Sequence, residues 1–227
     1  MNFQKSIPPV LLPAACLPSV EYFCWLFHAK KSLVEIHETY PKQTCRNRYA
    51  ILTSAGFRYL SVPVIKPDGN HTLTKDVLLE SSPLWTRIHW RTLESAYNKS
   101  PYFQYYSAEF AEIILNPPDL LLEFNFQLIR LCCNLLKFDP VIRMTELFEK
   151  ETSTIDLRHR ILDKKNPEHS SGISKLDPYI QVFSDRHPFI ANLSIVDLLF
   201  NLGPEATAYI EKHRPDPSLL MPQGTQS

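Results

Sequence analysis

The sequence lacks an excess of charge of either sign. Lys and Arg total 24 of its 227 residues, and Asp and Glu also total 24. A chain without net charge has no overall field that attracts nucleic acid or an anionic membrane surface, so neither is expected as a partner. Any anionic ligand must be held by a local group of side chains.

Long hydrophobic runs and metal-ligand motifs are also absent. No apolar stretch reaches the roughly 18 residues that a membrane span needs. The eight histidines form no HxxxH or HExxH pattern and the five cysteines form no CxxC pair, so the sequence predicts no metal site and no disulfide framework. Reduced thiols are typical of the cytosol. We therefore predict a cytoplasmic protein, and no cofactor is indicated.

The first 16 residues combine a lysine, an apolar stretch and a cysteine, as a lipoprotein export signal does. Prolines at positions 8, 9 and 13 interrupt that stretch. An export signal is therefore the less favoured interpretation of this segment.

Short apolar strands alternate with a helix in the first third of the chain. Residues 10–12 and 33–36 have the length and composition of buried strands, and the apolar positions between them recur at helical spacing over 17–29. A hairpin is predicted over 49–65 around Gly56. These elements predict an α/β (or α+β) fold with a small mixed sheet built from the N-terminal third.

The rest of the chain is predicted to be mainly helical and to pack on that sheet. Ser82 and Pro83 fit the N-cap and the first position of a helix. Residues 116–138 are typical of a long amphipathic helix, and Ser194 with Asp197 forms a capping-box pattern before a later one. The predicted divisions are one domain over 1–214, a strand-rich part over 1–80, a mainly helical part over 81–214, a short strand at 141–145, and a flexible tail at 215–227.

The segment HETYPKQTCRNR, residues 37–48, concentrates hydrogen-bonding groups directly after a predicted strand. Open α/β sheets usually bind their ligands at the carboxyl ends of strands. Arg46 and Arg48 carry planar guanidinium groups suited to phosphate or carboxylate, Lys42 adds a point charge, and Asn47 can both donate and accept. The segment is either an anion site or a polar loop that joins two strands.

Two further regions carry groups that can bind a ligand. In residues 88–106, His89 lies on a partly apolar helix face, and the hydroxyls of Tyr97 and Tyr102 can line a pocket for a sugar or nucleobase. A lone histidine in that setting is more often a buried structural imidazole than a general base. In the other region, His187 and Asn192 precede a helix N-terminus that can receive an anion. Asn192 can alternatively serve only to cap the helix.

A nucleophile cannot be assigned from spacing alone. Cys45 and His37 are candidates for a thiolate–imidazole pair, and Cys16 is the other candidate thiol because it follows the first strand. Most free cysteines are small buried hydrophobic residues, so a packing role competes with both assignments.

Several unlike motifs occur in an order that resembles one family. The segments are LPAACLPSVEYF, HETYPKQTCRNRYAI, LSVPV, KDVLL, ESAYNKSPYF and DRHPFI with NLSIVDLLFN. In this order they are similar to the WbqC-like family of bacterial proteins, in its bacteroidete-type branch. The residues that match the family signature are Tyr40, Lys42, Asn47, Arg48, Tyr97, Pro101, Tyr102 and Phe103.

The resemblance implies an association with gene clusters for surface polysaccharide and related biosynthesis, and it brings no established reaction with it. His37 and Glu38 stand where many members of the family carry a pair of aspartates. Cys45 stands where others carry an aromatic residue. Roles for these three positions therefore do not transfer from the family.

We predict a transferase of the acyl or aminoacyl type that acts on an activated, phosphate-bearing intermediate of surface-glycan or secondary-metabolite biosynthesis. The substrate would be a small or carrier-linked molecule such as a nucleotide-sugar or an acyl carrier. The predicted catalytic residues are His37, His187 and Cys45. The predicted substrate-binding residues are Tyr40, Lys42, Arg46, Asn47, Arg48, His89, Tyr97, Tyr102 and Asn192. The alternative is a non-catalytic binding or scaffold protein whose polar segments tie loops together.

Overall fold

The computed structural model describes residues 7–161 and 172–220. The strands are β1 (Val10–Pro13), β2 (Ser32–Glu35), β3 (Arg48–Thr53), β4 (Gly56–Ser61), β5 (Val64–Ile65), β6 (Leu78–Leu79), β7 (Ile142–Met144) and β8 (Ile155–Asp156). The α-helices are α1 (Val20–His28), α2 (Pro83–Tyr97), α3 (Phe103–Leu115), α4 (Leu121–Leu135), α5 (Ile195–Leu202) and α6 (Ala206–Lys212).

A four-stranded parallel sheet organises the fold, in the order β7-β2-β1-β8. Leu11 of β1 lies opposite Leu33 of β2 and Asp156 of β8. Helix α1 connects β1 to β2, because two parallel neighbours need a crossover between them. The α/β class is confirmed. The sheet is parallel throughout, and it takes β7 and β8 from beyond the N-terminal third.

Two antiparallel pairs, β3 with β4 and β5 with β6, complete the strand structure of the described residues. The hairpin prediction is confirmed for β3 and β4, which turn at Gly56. The second strand of the hairpin was predicted to continue to residue 65, but β4 ends at Ser61. Pro63, which cannot donate to a strand ladder, separates β4 from β5.

The helices cover one side of the parallel sheet. Val10 and Leu12 of β1 point into a core that includes Phe23 and Trp25 of α1, while Val34 of β2 packs in a cluster with Leu122 of α4. The predicted amphipathic helix is confirmed as α4, which begins at Leu121. Residues 103–115, which the sequence did not resolve as a separate element, form α3.

Helix caps were predicted with mixed success. Ser82 caps α2, because its hydroxyl accepts a hydrogen bond from the Leu84 amide at 3.3 Å. The capping box at Ser194 is wrong. The Ser194 hydroxyl donates to the Leu17 carbonyl at 2.7 Å instead, since a long-range partner is available that local spacing does not reveal.

The end of the chain is partly described. Residues 217–220 of the predicted tail form a short 3-10 helix, and the Leu220 carbonyl accepts a bond from Arg160 at 2.6 Å. Residues 162–171 and 221–227 lie outside the described residues. Over 7–161 and 172–220, no helix combines the length and the apolar character that crossing a bilayer requires.

Candidate functional site

Charged side chains gather where the parallel strands end. Glu35 closes β2 and is fully buried. Arg158, two residues beyond β8, donates to Glu35 at 3.3 Å and to Asp156 at 2.6 Å. It also donates to the carbonyls of Glu149 and Lys150. Arg158 thereby joins two strand ends to the loop that follows β7.

A second buried ion pair lies in the segment after β2. The Arg46 guanidinium contacts Glu38 through Nη2 at 2.5 Å and through Nε at 2.7 Å, and both side chains are buried. The Arg46 carbonyl accepts a bond from Asn125 of α4 at 2.8 Å. Because its charge is already neutralised by Glu38, Arg46 would have to leave that carboxylate in order to hold a phosphate.

The other residues predicted in this segment differ in how their polar groups are engaged. Nε of the half-buried Arg48 and the hydroxyl of the buried Tyr40 have no hydrogen-bond partner among the described residues. Burial raises the pKa of Tyr40, while the guanidinium charges of Arg46 and Arg48 lower it in part. Asn47 donates to the Val62 carbonyl at 2.8 Å, and Lys42 is exposed.

The cysteines of this region are buried. Cys45 precedes Arg46 in the chain, and the carbonyl of Cys45 accepts a hydrogen bond from the Cys16 amide at 2.8 Å. Burial raises the pKa of Cys45 to about 12 and raises that of Cys16 as well. A thiolate nucleophile needs a lowered pKa and an accessible sulfur, so the surroundings of Cys45 do not favour that role.

We expect none of the five thiols to react with Ellman's reagent in the native protein at pH 8, because all five are buried. In urea all five should react, and Cys45→Ser should remove one equivalent from that total. Fast labelling of one native thiol that disappears in Cys45→Ser would contradict this prediction and support the nucleophile assignment.

The predicted histidines occupy three different surroundings. The main-chain N–H of His37 donates to Glu35 at 2.7 Å, and its ring is half-buried. His89 is buried, forms a short hydrogen bond with the Tyr49 hydroxyl, and has a pKa that burial lowers to about 4. His187 lies with Nε2 3.1 Å from the Ser54 carbonyl. His89 is therefore a neutral structural histidine near pH 7.

The three predicted regions are spread along β3 and do not meet at one point. Arg48 begins β3, whereas His187 contacts the turn that follows it. Arg48 and Ser54 are six residue steps apart, which is about 20 Å in an extended strand. The Tyr97 hydroxyl donates to a third group, Asp197, at 3.0 Å. The three regions therefore do not surround one anion.

Two other predicted binding residues have structural partners. Asn192 accepts a hydrogen bond from the Glu21 amide at 2.9 Å and donates to the Glu21 carboxylate at 3.3 Å. The Tyr102 amide donates to the Phe200 carbonyl at 3.0 Å. The ring of Tyr102 lies against Gly203, where an added Cβ would approach it to 2.4 Å.

Sequence reasoning missed a cavity of about 780 Å³ that runs along the free edge of β8. His159 and Asp156 lie in its wall. His159 is also near the buried Glu38, whose pKa is raised by burial and lowered by Arg46 and more weakly by His159. The other lining residues are Pro8, Pro9, Ser153, Thr154, Ile155, Arg160, Pro217 and Leu220.

The sequence signal for this site is the run DLRHR at residues 156–160, which holds four titratable side chains in five positions. It follows a strand of only two residues, too short for periodicity to reveal a strand end. In the described part of the chain, no group of three or more His, Cys, Asp or Glu side chains is arranged to hold a metal ion.

Comparison with known proteins gives a distant relative and a family. The chain is 25% identical over 219 residues to an uncharacterized protein, Rv1507c, of Mycobacterium tuberculosis (strain ATCC 25618 / H37Rv), covering 86% of this chain and 93% of that protein. No solved structure matches significantly. The sequence profile of the WbqC-like protein family matches residues 14–171, more than half of the chain. The protein therefore belongs to the WbqC-like protein family.

Proposed function

We propose that the protein is a transferase that acts on an activated, phosphate-bearing intermediate of surface-glycan or secondary-metabolite biosynthesis. The observation that carries this proposal is the placement of Asp156, the last residue of β8, and of His159 in the wall of the β8 cavity. The cavity extends from these two residues along β8 to Pro8, Pro9, Ser153 and Thr154, which precede β1 and β8.

The dimensions and composition of the cavity suit such a substrate. Its volume of about 780 Å³ lies within the range of small-molecule sites. Ile155, Leu220 and three prolines supply apolar surface, while Ser153 and Arg160 supply polar groups. Mostly apolar walls with a few polar groups are typical of sites that fix the orientation of a ligand.

His159 is the residue of the cavity wall that can transfer a proton. In acyl transfer, an acceptor hydroxyl or amine attacks the acyl carbonyl carbon, its proton passes to a general base, and the bond from the acyl carbon to the phosphate or thiolate leaving group breaks. We assign the base role to His159, because its imidazole lines the cavity together with Asp156. His37, whose amide is held by Glu35, is the second histidine at this end of the sheet.

A non-catalytic binding or scaffold function is the second candidate. It is favoured by the ion pairs, because both Arg46 and Arg158 are engaged by buried carboxylates. Such groups link strand ends without leaving a charge for chemistry. The two candidates differ in whether a titratable side chain of the cavity is needed for turnover.

Calorimetry with UDP-sugars and coenzyme A tests the site directly. We expect the wild type to bind one of these probes and Ser153→Trp to weaken that binding at least about tenfold, because the indole fills the cavity. Ser61→Trp is the matched control, since Ser61 is exposed on β4 and should leave binding unchanged. Failure of the wild type to bind any probe would contradict the proposal.

The role of His159 is tested by turnover in the presence of an amine or hydroxyl acceptor, measured as release of coenzyme A from acetyl-coenzyme A or of UDP from a UDP-sugar, depending on which probe binds. His159→Gln should keep binding and slow turnover on the order of 10²-fold or more, because the base is lost. His71→Gln is the control, since His71 is exposed in a 3-10 turn. Equal turnover in both variants would favour the scaffold function.

A further inference from the structure

Strand β7 lies at the edge of the parallel sheet opposite to β8. Its ladder with β2 uses the Val141 carbonyl, which accepts from Ser32 at 2.8 Å, and the Thr145 amide, which donates to Val34 at 3.0 Å. In a parallel ladder alternate residues bond to the neighbour, so the main-chain groups of Ile142 and Met144 point away from β2. Within residues 7–161 and 172–220, no hydrogen bond reaches those outward groups.

Apolar side chains surround this edge. Val141, Met144, Leu147 and Phe148 are 46% to 60% exposed although they are large and close together in sequence. Single exposed apolar residues are common on protein surfaces, whereas a group of them beside an open strand edge indicates an interaction surface.

The sheet face next to β7 is only partly covered, since Leu33 there is half-buried although Leu11 is 2% exposed. A cavity of about 260 Å³ lies on it, with Leu11 and Leu33 of the sheet in its wall. These side chains point to the side opposite the core that α1 and α4 cover. The edge and the cavity therefore form one continuous surface.

The charges of this surface complement one another. Lys31 and Arg143 line the cavity together with Glu146 and Glu149. Glu35 also lines the cavity but is paired with Arg158. Two charges of each sign remain, and a twofold axis can bring the cations of one copy to the anions of the other. A partner with strong net charge of one sign would match only half of it.

We infer that two copies of this chain associate through β7. Under twofold symmetry the two β7 strands pair antiparallel, so the outward groups of Ile142 and Met144 bond to those of the second copy. The two four-stranded sheets then become one continuous sheet. The exposed side chains of Val141, Leu147 and Phe148 are buried between the copies.

Light scattering coupled to gel filtration, over a range of concentrations, measures the association. The wild type should show twice the chain mass of 26.3 kDa. Met144→Pro should give a monomer at the same concentrations, because proline removes the outward N–H while the ladder to β2 does not use it. Circular dichroism should be unchanged, since the parallel sheet keeps its bonds.

Two further variants make the result specific to this surface. Leu147→Glu should also yield a monomer, because a charge would be buried at the interface. Ile180→Glu is the control and should remain a dimer, since Ile180 is 82% exposed and does not line the β7 cavity. A monomeric wild type at about 100 μM, or a dimer that persists in both β7 variants, would overturn the inference.

Discussion

Arg46→Ala should lower the free energy of unfolding by about 3–5 kcal/mol, because it leaves the Glu38 carboxylate buried without its cation. Both side chains are almost completely inaccessible to solvent. The loss is measured by urea denaturation followed by circular dichroism. Arg130→Ala, on the exposed face of α4, should change stability by less than about 0.5 kcal/mol.

The Arg46–Glu38 ion pair is expected to contribute less to the free energy of unfolding than the loss in Arg46→Ala suggests. Burial raises the pKa of Glu38 even with Arg46 in contact, so the cost of desolvation exceeds the attraction. The double variant Arg46→Met with Glu38→Leu should therefore recover most of the lost stability. A loss below about 1 kcal/mol in Arg46→Ala would contradict the structural role and return Arg46 to the set of ligand-binding residues.

Local features of this fold could be predicted from the sequence because local forces produce them. The strands predicted at 10–12 and 33–36 lie within about one residue of β1 and β2. Short apolar runs between turn residues are typical of buried strands. The strand expected at 141–145 is β7, and the start of α2 follows from its serine and proline.

Long-range pairing could not be predicted in the same way. Strand β8 has two residues and pairs with β1 from about 145 positions away, so its sequence carries almost no periodic signal. The ion-pair partner of an arginine is likewise not predictable from its position in the sequence. Spacing indicated Arg46 as a cation for a ligand, and only the folded chain shows that Glu38 already neutralises it.

The candidate functional site contains both residues that could be predicted from the sequence and residues that could not. The strand-end position of the 37–48 segment was predicted, and the structure places it at the carboxyl edge beside Arg158 and Glu35. His159 was missed because a charged run after an unrecognised strand is indistinguishable from a solvated loop. His89 was identified with two alternatives, and its contact with Tyr49 in the core favours the structural one.

Asp197 should show the second large effect. Its carboxylate is completely buried on α5 and accepts hydrogen bonds from the Tyr97 hydroxyl at 3.0 Å, the Tyr179 hydroxyl at 2.7 Å and the Gln181 amide at 2.8 Å. These donors come from α2 and from the segment before α5. Asp197 therefore joins three parts of the helical region.

Asp197→Ala should lower the free energy of unfolding by about 3–5 kcal/mol, because it leaves three buried donors without an acceptor. Asp197→Asn should lose about 1 kcal/mol or less near neutral pH, since its oxygen can serve Tyr179 and Gln181 while Tyr97 accepts from its amide. Asp185→Ala, at an exposed carboxylate, is the matched control. Equal losses for Ala and Asn would show that packing volume or charge, not hydrogen bonding, is what Asp197 supplies.

The pH dependence separates the charge of Asp197 from its shape. Burial raises its pKa, although the three donors lower it in part. A carboxyl with a raised folded-state pKa stabilises the fold below its unfolded pKa of about 4, and this contribution is lost as pH rises through the folded value. Asparagine does not ionise, so its stability does not contain this pH-dependent contribution. The loss of stability in Asp197→Asn relative to the wild type should therefore become smaller as the pH rises from 4 to 8. If the difference between the two proteins stays constant over that range, the carboxylate is not destabilised by burial, and the three donors must compensate its desolvation in full.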